Sequence, residues 1–143
     1  MAVSVKRVQL WRSEVESRPG LLAGALGALA SAGADLHVVM AYRYPGNQTM
    51  GAFEIFPVKG KKLEAAARAA GLAPTTIAAL RVEGDNRAGL GYAITRAIAD
   101  AGINIDFLVT QVIGRKWTAI IGFDREGDAA QAAKLIKKAV ARR

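Results

Sequence analysis

The residues Arg18-Pro19-Gly20-Leu21 return later in the chain as Arg87-Ala88-Gly89-Leu90, and Ala32-Gly33-Ala34-Asp35-Leu36 returns as Ala101-Gly102-Ile103-Asn104-Ile105. Gly20 and Gly89 are 69 positions apart, and so are Gly33 and Gly102, so both copies have kept the same length between these landmarks. One supersecondary unit is therefore written twice, which excludes most folds a chain of this length could adopt. Each copy, at about 70 residues, is near the size at which a lone core is marginal, so the copies are expected to pack together or dimerise. Pro74 and the turn chemistry before it place the boundary near Ala73, giving a first unit over 1–73 and a second over 74–143.

Within the first copy, apolar and polar residues alternate from Val3 to Val15, which predicts one half-buried strand. Pro19 suits a first helical position, and Leu22, Ala25, Leu26, Leu29 and Ala30 make one apolar stripe that Gly33 should end. Leu36 to Tyr44 and Met50 to Val58 read as a hairpin around Pro45-Gly46-Asn47, followed by a helix from Lys61 to Ala70. A strand through Ile77 to Val82 comes next, serving either as the last of the first unit or the first of the second. In the second copy Asp85-Asn86-Arg87-Ala88 is expected to cap a helix carrying Leu90, Ile94, Ala97, Ile98 and Ala101. Ile103 to Ile113 and Trp117 to Phe123 form a hairpin about two residues shorter than the first, and Ala129 to Val140 a closing helix. The predicted class is α+β: two βαββαβ units with antiparallel sheets and the helices on one face. No strand is found after Val140 to complete the second.

No apolar run approaches the roughly 18 residues of a membrane span, and no secretory signal opens the chain, so a cytoplasmic protein is expected. There is no cysteine, hence no disulfide framework, zinc-thiolate site or cysteine nucleophile. His37 is the single histidine, and neither a G-x-S-x-G elbow nor a phosphate loop occurs, so no enzymatic activity, metal or cofactor is expected. The net charge of +8 invites a nucleic-acid reading. Much of that charge sits in Lys59, Lys61, Lys62, Lys134, Lys137, Lys138, Arg142 and Arg143, on expected helix faces and ends, where it reads as solvated surface.

Asp85-Asn86-Arg87-Ala88-Gly89-Leu90 followed by Ala101-Gly102-Ile103-Asn104-Ile105 resembles the ACT domain family, with its D-x-x-G-L-type turn and A-G-x-N-I-type strand entry. The first copy departs from this pattern, with Glu16 for the aspartate and Asp35 for the asparagine, but keeps Pro19-Gly20-Leu21. The resemblance implies a tandem ACT protein with no catalytic domain attached: a regulatory module, usually binding a free amino acid where paired domains meet. A homodimer and a regulated partner enzyme follow from it as expectations.

Helix starts expose backbone N–H groups that would suit a carboxylate. The candidate ligand residues are accordingly Asp85, Asn86, Arg87, Ala88, Gly89, Leu90, Asn104 and Ile105, with Glu16, Arg18, Pro19, Gly20, Leu21, Asp35, Leu36 and His37. If only one turn is live, the Asp85–Leu90 turn is favoured. Plainer roles compete: Ser17, Asp85 and Asn86 as helix caps, Arg18 and Arg87 as solvated side chains, and His37 as a packed one. Its counterpart is Asp106, and no spacing makes an acid–base pair of the two. Two other functions remain open. A nucleic-acid-binding module of the same topology would need an aromatic platform, but Phe53 and Phe56 are three residues apart rather than two. A structural oligomerisation subunit would bind nothing at these turns.

Overall fold

Alternation breaks where Val8, Leu10 and Trp11 are all buried, because two adjacent inward residues cannot lie on one face of a strand. In the computed structural model, which describes residues 3–141, the expected single strand is accordingly two: β1 (Val3–Val8) and β2 (Trp11–Glu16). Then follow α1 (Leu21–Ser31), β3 (Val38–Tyr44), β4 (Asn47–Phe56), α2 (Lys61–Ala69), β5 (Ala73–Pro74), β6 (Ala78–Asp85), α3 (Leu90–Asp100), β7 (Phe107–Ile113), β8 (Lys116–Phe123) and α4 (Glu126–Ala141). No helix among the described residues is long and apolar enough to cross a membrane.

Residues 9–75 form one compact unit, with sheet order β3-β4-β2-β5 and antiparallel neighbours throughout. Trp11, Phe53 and Ile55 point from one sheet face onto Leu29 of α1 and Ala67 of α2, with Leu72 closing the cluster. The last strand is the two-residue β5, and the segment through Ile77 to Val82 belongs to β6 of the other sheet.

The other compact unit joins residues 76–141 to residues 3–8. Its sheet order is β1-β6-β8-β7, and β1 lies antiparallel to β6 from Val3 opposite Gly84 to Val8 opposite Ala79. The strand sought after Val140 is therefore supplied by the start of the chain, and a cut at residue 73 separates β1 from its own sheet. Leu80, Val82, Ala119 and Ile121 meet Ile94, Ile98, Ala132 and Ile136 in the core, each large side chain contributing about 1.5–3 kcal/mol by burial. Both units realise the α+β, ferredoxin-like arrangement, with the helices on one sheet face.

Equivalent positions show how the copies diverged. Trp11 opposes Ile55 as Leu80 opposes Ile121, so an offset of 69 (80 − 11) falls to 66 (121 − 55) across the hairpin. The second hairpin is thus three residues shorter, and the first carries an irregularity at Arg43/Tyr44. α1 and α3 stop as expected at Gly33 and Gly102, where left-handed backbone lets Ala34 N–H reach Leu29 O and Ile103 N–H reach Ile98 O. α2 stops the same way at Gly71, after nine residues, whereas α4 meets no such glycine and runs for 16.

Candidate functional site

Both repeated turns place a glycine in left-handed conformation directly before a helix: Gly20 at φ 85° before α1 and Gly89 at φ 80° before α3. A side chain is disfavoured at such a φ, which explains why both copies hold glycine there. No side chain caps either helix, so the expected capping by Ser17, Asp85 and Asn86 does not occur. The first intrahelical bonds run from Gly24 N–H to Gly20 O and from Ala93 N–H to Gly89 O, leaving earlier amides without an intrahelical acceptor.

Around Gly89 the two charged side chains are already engaged. Lys116 Nζ donates to Asp85 at 2.9 Å, and that hydrogen bond and charge hold the Asp85 carboxyl below its ordinary range. Asn86 N–H bonds Arg115 O. Arg87 turns onto the end of α4, donating from its two terminal nitrogens to Val140 O at 3.0 Å and Ala139 O at 3.2 Å. Ala88 and Gly89 are exposed, Leu90 is buried in the core, Asn104 is exposed and Ile105 packs against the core edge.

The first turn is arranged differently. The Arg18 guanidinium makes no hydrogen bond or ion pair among the described residues, and it borders two grooves. One, of about 480 Å³, is lined by Val15, Pro19, Gly20, Leu21, Gly24, Ala25, Ala28, Phe53 and Ala70. The other, of about 290 Å³, shares Val15, Leu21 and Phe53 and continues to Ser17, Leu22, Ala41, Tyr42 and Arg43. Neither lining includes an acidic side chain.

The remaining expected residues stand apart from these grooves. Glu16 is exposed opposite Met50, and Leu36 packs against the core of its unit. Asp35 is 93% exposed, with its carboxylate 3.5 Å from His37 Nε2, so the two side chains face each other at the surface. Asp106, the counterpart of His37, is held above its ordinary carboxyl value by burial and by hydrogen bonding with Asp124. Phe53 lies in the core at 3% exposure and offers no stacking surface to a base. No cluster of three or more His, Cys, Asp or Glu suited to a metal occurs among the described residues.

A polar group absent from the sequence expectations occupies the opposite sheet face of the 9–75 unit. Glu54 is 1% exposed, accepts a hydrogen bond from Tyr42 Oη at 3.0 Å, and leaves Oε1 without a partner in the structure. Arg12 donates to Tyr44 Oη, which donates to Glu14. Burial, and then the Glu54 charge, hold the Tyr42 phenol above its ordinary value. The signal was present as the period-two pairs Arg12/Glu14 and Tyr42/Tyr44, each of which lies on one face of its own strand.

No protein-family model matches the chain, and no curated protein matches its sequence. Solved structures do resemble it. A protein from Bacteroides thetaiotaomicron aligns with a TM-score of 0.74 at 15% identity, over 93% of this chain and 90% of that one. The ligand-free regulatory subunit of aspartate kinase from Thermus thermophilus aligns with a TM-score of 0.66 at 18% identity, over 97% of each. The corresponding subunit from Thermus flavus gives 0.58 at 20% identity, over 98% and 97%. At these identities the likeness is one of fold, and it spans both units.

Proposed function

We propose that the chain is a non-catalytic regulatory sensor of two ACT-type units that binds a free amino acid and passes its occupancy to a partner enzyme. The observation that carries this reading is the unpaired Arg18 beside an open groove at a helix-start turn. Its support from fold is the end-to-end likeness to regulatory subunits, as opposed to catalytic domains. The groove at the first turn favours that copy over the Asp85–Leu90 turn, where Asp85 and Arg87 are already engaged. Sensing requires only that ligand and partner bind the same conformation better than its alternative, and the coupling is then reciprocal.

A homodimer fits this role. Among the exposed large apolar residues, Val39 and Tyr42 lie on β3 and Leu108, Val109, Val112 and Ile113 on β7, one edge strand of each sheet. An apolar edge strand is a template for pairing with another chain.

Thermal unfolding against the twenty amino acids at millimolar concentration tests the proposal. A ligand at one hundred times its Kd adds about 2.7 kcal/mol, a shift of several degrees. A rise confined to one or a few related amino acids is the expected outcome. A flat panel overturns the sensor reading and leaves an oligomerisation subunit, which dimerises without responding to ligand.

A further inference from the structure

The two units differ in what meets the arginine of the repeated turn. In the 76–141 unit that arginine is Arg87, and it binds the carbonyls of Ala139 and Val140. With the offset of 66 that holds beyond the hairpin, the last residue of α2, Ala69, corresponds to Leu135, so Ala139 and Val140 lie on a stretch of α4 for which α2 has no counterpart. That stretch closes its unit: Val140, Leu90 and Ile94 are 1%, 2% and 1% exposed within one core cluster. In the 9–75 unit α2 has ended at Gly71, and Leu21 and Ala25, the counterparts of Leu90 and Ile94, remain partly exposed as walls of the larger groove. The sequence has not refilled the space, since Gly24, Ala25 and Ala28 there are smaller than or equal to Ala93, Ile94 and Ala97.

We infer that this groove of the 9–75 unit is an open ligand site and takes an amino acid with an apolar side chain, whereas the equivalent place in the other unit is occupied by the end of its own α4. The inference rests on the sensor reading above and names its ligand class. Arg87 shows what the position binds: oxygen acceptors at the negative end of a helix. Arg18 presents the same planar fork with no acceptor in its own unit, and a carboxylate matches it in charge and geometry. Val15, Leu21, Ala25 and Phe53 then offer an aliphatic or aromatic side chain a water-excluding wall. With no acid in the lining, nothing there would hold a second cationic group such as a lysine side chain, and the ligand ammonium faces solvent.

The test is calorimetry and thermal unfolding of the full chain with leucine, phenylalanine, lysine, aspartate and leucinamide. Leucine or phenylalanine is expected to bind, while lysine, aspartate and leucinamide, which lacks the carboxylate, are not. Arg18→Gln should weaken binding by about 10- to 100-fold, the loss of a hydrogen-bonded charge pair. Gly24→Leu fills the groove at an ordinary helical position where an added Cβ meets nothing, so it should fold and lose binding. Arg87→Gln should keep wild-type affinity. Preferential binding of lysine or aspartate, affinity indifferent to Arg18→Gln and Gly24→Leu, or affinity lost only in Arg87→Gln overturns this inference and leaves the sensor reading intact. Failure of all twenty amino acids to bind removes the sensor reading and this inference with it.

Discussion

At the scale of single residues, two side chains show how little identity says without neighbours. Arg18 and Arg87 hold the same place in the repeat, yet one is free and the other anchors a helix end. Glu54 looks like an ordinary outward residue of an alternating strand, yet it is among the most deeply buried side chains, with Tyr42 as the donor to its Oε2. Tyr42→Phe removes that donor and leaves a buried carboxyl group short of a partner, which should destabilise the chain by about 1–3 kcal/mol. Urea unfolding measures it; an unchanged midpoint would mean that the hydrogen bond contributes nothing. The glycines of the repeat were readable in advance because backbone conformation is a local demand, whereas the side-chain partners of Asp85, Arg87 and Glu54 lie 31, 53 and 12 residues away along the chain.

At the scale of elements, β1 is held into its sheet by more than backbone pairing. Arg7 of β1 grips Glu126 in the first turn of α4 through Nε, at 2.9 Å and 3.0 Å to the two carboxylate oxygens, and through a further terminal nitrogen. Hydrogen bonding to Arg7 holds the Glu126 carboxyl below its ordinary 4.5. A carboxyl lowered in the folded state contributes stability that is present above the unfolded value and is lost as pH falls through the folded one. The wild type should therefore exceed Glu126→Gln in urea midpoint at pH 7, and the difference should close as the solution is acidified below about pH 4. A difference constant with pH would assign the effect to packing instead. Of the elements themselves, α1, α2, α3 and both hairpins were legible from periodicity and turn residues. The strand break at Gln9–Leu10 was also written in the sequence, in the adjacent apolar pair Leu10-Trp11, but an average alternation over thirteen residues obscured it.

At the scale of the whole molecule, the order of the chain and the order of the sheets disagree. The 9–75 unit contains all four of its strands, while the other borrows β1 from the start of the chain. A fragment spanning 9–75 should melt cooperatively by itself. A fragment spanning 74–143 should not, since it exposes the β6 edge, and residues 1–8 appended through a flexible linker should restore it. Circular dichroism melts of the three constructions decide this, and a stable 74–143 fragment without β1 would show that the fourth strand is dispensable.

The sequence by itself determined that one unit is written twice, that each unit is β-rich with two amphipathic helices, and that three of the helices stop at Gly33, Gly71 and Gly102; it put the start of α4 three residues late, at Ala129 in place of Glu126. These are short-range properties: glycine conformation, side-chain period and turn chemistry act within a few residues. Which strand completes which sheet, which arginine is left free and which carboxylate is buried were decided only by tertiary structure. Each depends on a segment distant in the chain, and nothing in a local pattern records that α2 stops where α4 continues or that residues 3–8 complete the sheet of the second copy.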